Sequence, residues 1–314
     1  MSAAIREAAG LFGPDSVAWR VDREVIVLAG GSCALLMQAA HPVVAAGVDQ
    51  HSTYATDPFG RLRRTLTSSF DVVFGPRARA DAAIRRVNAI HAAVRGELPD
   101  GAGYSAADPE ALLWVHATLV DTALRIYSRF VGPLSPDEER RYLLEAAKVA
   151  ERLGVLPADL PSGVPELRDW MARMVASGRV RVTPAARRIA RTVLYPNGFV
   201  PRVAWDAAHL ISLATLPDQL RRQYGIRWSA GRERGVGVLA AVTRRSLPLV
   251  PPPLRFVPHA RSAERRVRVA ERRLRARGAP PPRLTASGGL AAMMGSARPA
   301  SPGLRSDLEE PLRR

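Results

Sequence analysis

A single cysteine, Cys33, stands in 314 residues, which excludes an intramolecular disulfide and any multi-cysteine zinc or iron–sulfur centre. Lysine is as scarce: of the 46 basic side chains only Lys148 is not arginine. Aromatic residues make up only 6% of the chain. Strand-like alternation bounded by turns is almost absent. The nucleotide-binding Gly-x-Gly-x-x-Gly and the phosphate loop ending in Gly-Lys-Ser/Thr are missing, as are His-Glu-x-x-His, the Gly-x-Ser-x-Gly elbow and Cys-x-x-Cys-His. Nucleotide hydrolysis, zinc hydrolysis, serine hydrolysis and covalent haem attachment therefore lack their usual parts.

What remains is the composition of a folded protein, with 47% hydrophobic and 24% charged residues. The formal charge of +17 is uneven. Residues 255–314 hold 14 Arg against five acidic side chains, whereas residues 1–254 hold 32 basic and 24 acidic ones. Almost exclusive use of Arg, with much Ala and Pro, reads first as a codon bias rather than as a nucleic-acid signature. The first twenty residues contain no apolar stretch long enough for a secretory signal. Residues 25–48 form 24 positions without Lys, Arg, Asp or Glu. Gln38, His41, Pro42 and Gly30–Gly31 interrupt them, so the expectation is a buried helix ending near Ala40 followed by a short second helix, in a soluble cytoplasmic protein.

The apolar spacing predicts one all-α, multi-helix domain over residues 15–277 and a disordered Pro/Arg-rich tail over 278–314. Residues 16–40 read as one helix with Ser16 as its N-cap. Further helices are predicted over 42–50, 59–74 and 77–95, with residues 96–107 as a Gly-rich loop. Asp108-Pro109-Glu110 opens a helix to about Val131, and Ser135-x-x-Glu138 opens another to about Leu153. Others follow near 164–178, 183–194, 201–215, 217–223, 231–246 and 262–277.

Two of the six histidines sit on apolar helical faces. His91 is in line with Ile84, Val87 and Val94, and His116 shares a face with Leu112, Leu113, Leu119 and Val120. A buried imidazole needs a partner, and spacing leaves that partner open between a carbonyl, a carboxylate and a metal. In the run 60–70, Arg61 and Thr65 share a helical face with Arg64 beside them. Such a charge run is either a solvated face or a set of cations meeting an anion: Glu24, Asp57, Asp121 or a cofactor carboxylate.

The order Trp19-Arg20…Glu24, then LLMQAAHPVVAAGVDQHSTYATDPFGRLRRT, IHAAVRG and DPEALLWVHATLVDT, then LPDQLRRQYGIRW and LPLVPPPLRFVPHARSAERR, resembles the MpaB / rubber-oxygenase (latex-clearing protein) catalytic-domain family. The similarity covers roughly residues 15–270. It implies a partly globin-like helical fold that binds haem b without a covalent link and uses dioxygen on an apolar, unsaturated lipid-like or isoprenoid substrate, with electrons from a separate donor. By position, His91 corresponds to the proximal iron ligand, Arg61 and Thr65 to the distal Arg-x-x-Lys-Thr motif, and His116 to a further haem-side histidine. Glu24 and His41–Pro42 correspond to supporting positions. Arg64 stands where rubber-cleaving members carry lysine. An arginine stays protonated and cannot ligate iron, so the resemblance implies haem binding and not a distal lysine–iron bond.

Two other readings compete: a haem-binding sensor or carrier without turnover, and a binder of nucleic acid or anionic membrane acting through the Arg-rich C-terminal segment. Residues 261–277 carry no aromatic side chain to stack on bases, so specific nucleic-acid recognition is not expected, while a weak membrane-surface contact remains open.

Overall fold

The computed structural model of the chain describes residues 2–196, 199–276 and 278. The fold is all-helical, apart from one two-stranded hairpin. In chain order come α1 (Ala3–Ala9), α2 (Val17–Asp22), a 3₁₀ helix (Val25–Gly30), α3 (Gly31–Ala39), α4 (Pro42–His51), α5 (Pro58–Phe74) and α6 (Arg77–Ala93). Strands β1 (Arg95–Glu97) and β2 (Gly103–Ser105) follow, then α7 (Pro109–Phe130), α8 (Pro136–Arg152), α9 (Val164–Ala176) and α10 (Pro184–Leu194). The series ends with α11 (Arg202–Ala208), α12 (Leu210–Thr215), α13 (Asp218–Gln223), α14 (Ala230–Ser246), α15 (Pro252–Arg255) and α16 (Pro258–Ala276). Of the tail expected over 278–314, all but Gly278 lies outside the described residues.

The local start signals act as the chemistry dictates. Asp57 accepts from the Gly60 N–H at 2.9 Å, Asp108 accepts from Ala111 at 2.9 Å, and each is followed by proline at the first helical position. Ser135 and Glu138 complete a reciprocal capping box at the head of α8.

Helix α7 is the axis of the fold, with Trp114, Ala117, Leu124, Ile126 and Phe130 fully enclosed. α3 runs antiparallel along it. Cys33 lies level with Thr122, the Trp114 indole donates to the Met37 carbonyl at 2.8 Å, and His41 reaches Glu110. Gly30 allows the close approach: a Cβ there would stand 2.5 Å from Thr122 Cγ2 and 2.9 Å from Ile126 Cγ1.

The single helix expected over 16–40 is in fact three pieces. Glu24 is extended (φ −73°, ψ 119°) and pairs with Phe256 in an isolated antiparallel bridge, while the Val257 N–H donates to the Arg23 carbonyl at 2.8 Å. The fully buried Glu24 carboxylate takes both Nε and Nη2 of Arg255, at 2.7–3.1 Å. A partner more than two hundred residues away thus overrides local helix propensity. Among the described residues no single helix is long and apolar enough to cross a membrane; the apolar run divides into Val25–Ala39 and Pro42–His51, bent by 102°.

Two other expectations are corrected. The helix read over 201–215 breaks at His209, which leaves helical geometry (φ −93°, ψ 1°) to stack on Trp205 and share a hydrogen bond with Ser32 Oγ at 3.0 Å. The loop read over 96–107 contains the β1–β2 hairpin, in which Gly96 pairs with Tyr104. Its turn is closed by Gly101 in the left-handed region (φ +84°).

Candidate functional site

α5 and α6 form a helical hairpin joined by Gly75–Pro76, and so short a connection makes them antiparallel neighbours. Arg61 and His91 are nearly equidistant from that turn along their helices, so they sit at about the same height. On α5 the half-buried stripe is Pro58, Arg61, Thr65, Ser68 and Val72. On α6 the corresponding face has Ile84 buried and Val87 and His91 half-buried, and Val94 continues it just past the helix end.

Helix α6 is tied to the end of α8 by two contacts. Its Asn88 amide donates to the Arg152 carbonyl at the end of α8 (2.9 Å), and its Asp81 pairs with Arg152 at 2.7 Å. Beyond α6, the hairpin is tied to α4. Gln50 donates to the Glu97 carbonyl at 3.0 Å, the His51 imidazole to the Arg95 carbonyl at 3.0 Å, and the Tyr104 hydroxyl to Gln50 at 2.8 Å.

The α8 terminus also anchors α7, where Leu112 and Leu113 cluster with Ala150 and Val155. His91 and His116 each lie one turn beyond a residue held by that terminus: Asn88 on α6 and Leu112 on α7. Both helices are thus tied to the end of α8, with His91 on one and His116 on the other. His91 Nδ1 and His116 Nε2 are buried with no hydrogen-bond partner among the described residues. Burial lowers the pKa of both rings, that of His116 to about 4, so both are neutral at pH 7 and each keeps a lone pair.

Arg61 is half-buried. Its Nε donates to Ser52 Oγ at 3.3 Å, its Nη1 meets the Thr65 hydroxyl, and Thr65 in turn donates to the Arg61 carbonyl at 3.0 Å. No carboxylate pairs with it among the described residues. Arg64 goes elsewhere. It projects to the exposed side of α5, with Nη1 on Asp57 at 3.1 Å and Nη2 on Thr53 Oγ1 at 2.8 Å. Of the anions considered from sequence, Asp57 meets Arg64, Glu24 meets Arg255, and Asp121 is shared by Arg125 and Arg168. Arg61 is left with its charge available.

Around these polar groups the surface is greasy. Phe59 is 54% exposed, Leu62 44%, Ile90 55% and Leu119 51%. Each lies within a turn of Arg61, His91 or His116. Leu119, read as sharing the apolar face of His116, is open.

Residues 19–245 match the family described as ER-bound oxygenase mpaB/B′/rubber oxygenase, catalytic domain. The chain belongs to the MpaB/rubber oxygenase family. No curated protein and no solved structure matches it. The MpaB/rubber oxygenase match spans α3 through α14, so it takes in every candidate residue just described.

Sequence reasoning treated His41 as supporting. Its ring is 5% exposed, its Nδ1 has no hydrogen-bond partner among the described residues, and burial lowers its pKa to about 4. Its Nε2 lies 3.9 Å from Glu110 Oε1, whose other oxygen is held by Arg179 at 2.7 Å. The available signal was a histidine inside an uncharged run. Cys33 is buried, and its thiol is pushed up to about 12, mainly by burial, so it is no nucleophile.

Proposed function

We propose that this oxygenase-family domain binds haem b through His91 and uses dioxygen to cleave carbon–carbon double bonds in an apolar, isoprenoid or lipid-like chain. The observations that support the reading are two neutral imidazoles, His91 and His116, each with a buried nitrogen that has no partner among the described residues, together with an uncompensated Arg61 and exposed apolar side chains on the same helices. Those are the properties a porphyrin asks of a protein: a neutral imidazole for iron, a cation for its carboxylates and apolar surface for its ring. Among the described residues no cluster of three or more His, Cys, Asp or Glu stands ready for a bare ion. One imidazole suffices where a macrocycle supplies the other ligands.

Haem supplies the capacity to bind and activate dioxygen. The chain does the rest. His91 is held in place by the anchored end of α6, which keeps its ring from turning to bulk water. Arg61, braced by Ser52 and Thr65, presents a charge-assisted donor to an anionic oxygen, whether of a haem carboxylate or of a reacting species. Thr65 passes its own proton back to the Arg61 carbonyl, so its hydroxyl can accept but is not a free donor. Arg64, paired with Asp57, sits where it shapes the entrance rather than the reacting centre. Phe59, Leu62, Ile90 and Leu119 are exposed apolar surface on which a hydrocarbon chain could lie. Cleavage of one C=C bond by one dioxygen leaves one oxygen atom on each of two carbonyl fragments, with no net reductant. If haem is bound, a separate electron donor would be needed only to supply the reduced cofactor and not for the cleavage itself.

The test is incubation of haem-loaded protein with an oligoisoprene or an unsaturated fatty chain under ¹⁸O₂. The reading expects two carbonyl fragments, each with one labelled atom. Stable haem binding with no product from any unsaturated chain would instead establish a carrier or sensor.

A further inference from the structure

A cavity remote in sequence from α5 and α6 opens where α10, α11 and the α13–α14 connection meet. Its volume is about 560 Å³, within the range of small-molecule sites. The floor is apolar: Ala190, Leu194 and Leu213 are buried, and Ile226 closes one side. The mouth is ringed by Arg187, Arg191, Arg202, Arg227 and Arg232, with Asp206 as its one carboxylate.

None of these five arginines forms an ion pair among the described residues. Arg187 donates to the Gln223 carbonyl at 3.2 Å, Arg232 to the Arg227 carbonyl at 2.8 Å, and Arg202 lies over the Tyr195 ring at 4.3 Å. Asp206 is engaged by the Tyr195 hydroxyl at 2.7 Å. Immediate neighbours behave differently: Arg188, on the same helix as Arg187, pairs with Asp49, and Arg221 pairs with Asp218. Acidic partners are thus supplied to arginines beside the cavity, whereas its mouth holds five arginines to the single carboxylate of Asp206, which acts on Arg202.

We infer that this cavity is a binding site for a phosphorylated amphiphile, a phosphate ester whose head meets the arginine ring while its hydrocarbon chain enters the Leu194–Leu213 floor. Several guanidinium groups converging on one opening suit a multiply charged oxyanion better than a single carboxylate, because each can bridge two oxygens. The floor offers no free polar side chain to read a base or sugar, which selects a hydrocarbon over a nucleoside. The site is independent of the haem assignment and would persist in a His91→Ala variant.

Calorimetric titration of the full chain tests it, with decyl phosphate below its micelle threshold, hexyl phosphate, decanol and inorganic phosphate as probes. One saturable site is expected for decyl phosphate. Hexyl phosphate should bind more weakly, by about three- to fourfold for each lost methylene that had entered the floor. Inorganic phosphate and decanol should each bind at least tenfold more weakly than decyl phosphate. The double variant Arg191→Gln/Arg227→Gln, both positions exposed, should lower decyl phosphate affinity at least tenfold with an unchanged circular dichroism spectrum. Arg272→Gln/Arg273→Gln on α16, which removes equal charge elsewhere, should leave it unchanged. The proposal is overturned if no saturable site is found, if inorganic phosphate or decanol binds as well as decyl phosphate, or if the two double variants weaken binding equally.

Discussion

At the level of single residues, burial without a partner sets the chemistry. His41 and His116 have ring pKa values pulled from 6.5 to about 4, so the folded protein keeps them neutral where the unfolded chain would take up protons. Their contribution to stability is complete above about pH 6.5 and is lost as pH falls toward 4. Asp22 opposes them. Its buried carboxyl, on the Tyr142 hydroxyl at 3.1 Å, is pushed up from 3.8 to about 7, so the folded state holds a proton that the unfolded chain releases. That contribution is present in acid and lost as pH rises through 7. Denaturant midpoints for the haem-free protein at pH 7.5 and pH 5 should therefore separate the two effects. His116→Leu should shrink the acid loss and Asp22→Asn should enlarge it; a His116→Leu protein as acid-sensitive as its parent would contradict the assignment. The buried Glu24–Arg255 pair gives a larger effect. Arg255→Ala strands a carboxylate that is 1% exposed and should cost about 3 kcal/mol in chemical denaturation. The histidine faces were legible in sequence because helical periodicity is local. The partner of Glu24 was not, since nothing in residues 16–40 points to Arg255.

Among the elements, the helix starts at Asp57, Asp108 and Ser135 were readable because a cap, a proline and an acid act within one turn. The breaks at Glu24 and His209 were not, because a bridge to Phe256 and a stack on Trp205 with a hydrogen bond to Ser32 impose them from outside. Of the Gly30–Gly31 pair that interrupts the apolar run, Gly30 is the one packed closely against α7. Gly30→Ala should cost about 1–3 kcal/mol in thermal or urea unfolding, because its Cβ would collide with Thr122 and Ile126 on α7. Gly31 has open space at its Cβ position and makes the control: Gly31→Ala should be close to neutral. α16 is also more than a solvated arginine helix. It docks through Ala260, Ala263 and Val267, and its Arg266 donates to the carbonyls of Ala8 at 2.9 Å and Phe74 at 2.6 Å, capping the ends of α1 and α5. Part of the basic charge that sequence assigned to a binding segment is thus structural.

For the whole molecule, the residues that matter come from stretches far apart in the chain: the α5–α6 hairpin, the second turn of α7 and the end of α8. Family membership was legible because its motif blocks are long and linear. The anchoring of α6 and α7 to the same end of α8 was not, because it rests on contacts between stretches far apart in the chain. Nor could periodicity foresee that Leu119, on a predicted core face, stays 51% exposed. The absorption spectrum of the protein purified from haem-supplemented cells, recorded before and after dithionite and carbon monoxide, tests the central claim most directly. The account predicts a Soret band that shifts on reduction and again with carbon monoxide, near-stoichiometric haem in the parent, and its loss in His91→Ala at unchanged helix content. A parent without a Soret band, or a His91→Ala protein with the parent's spectrum, would contradict it.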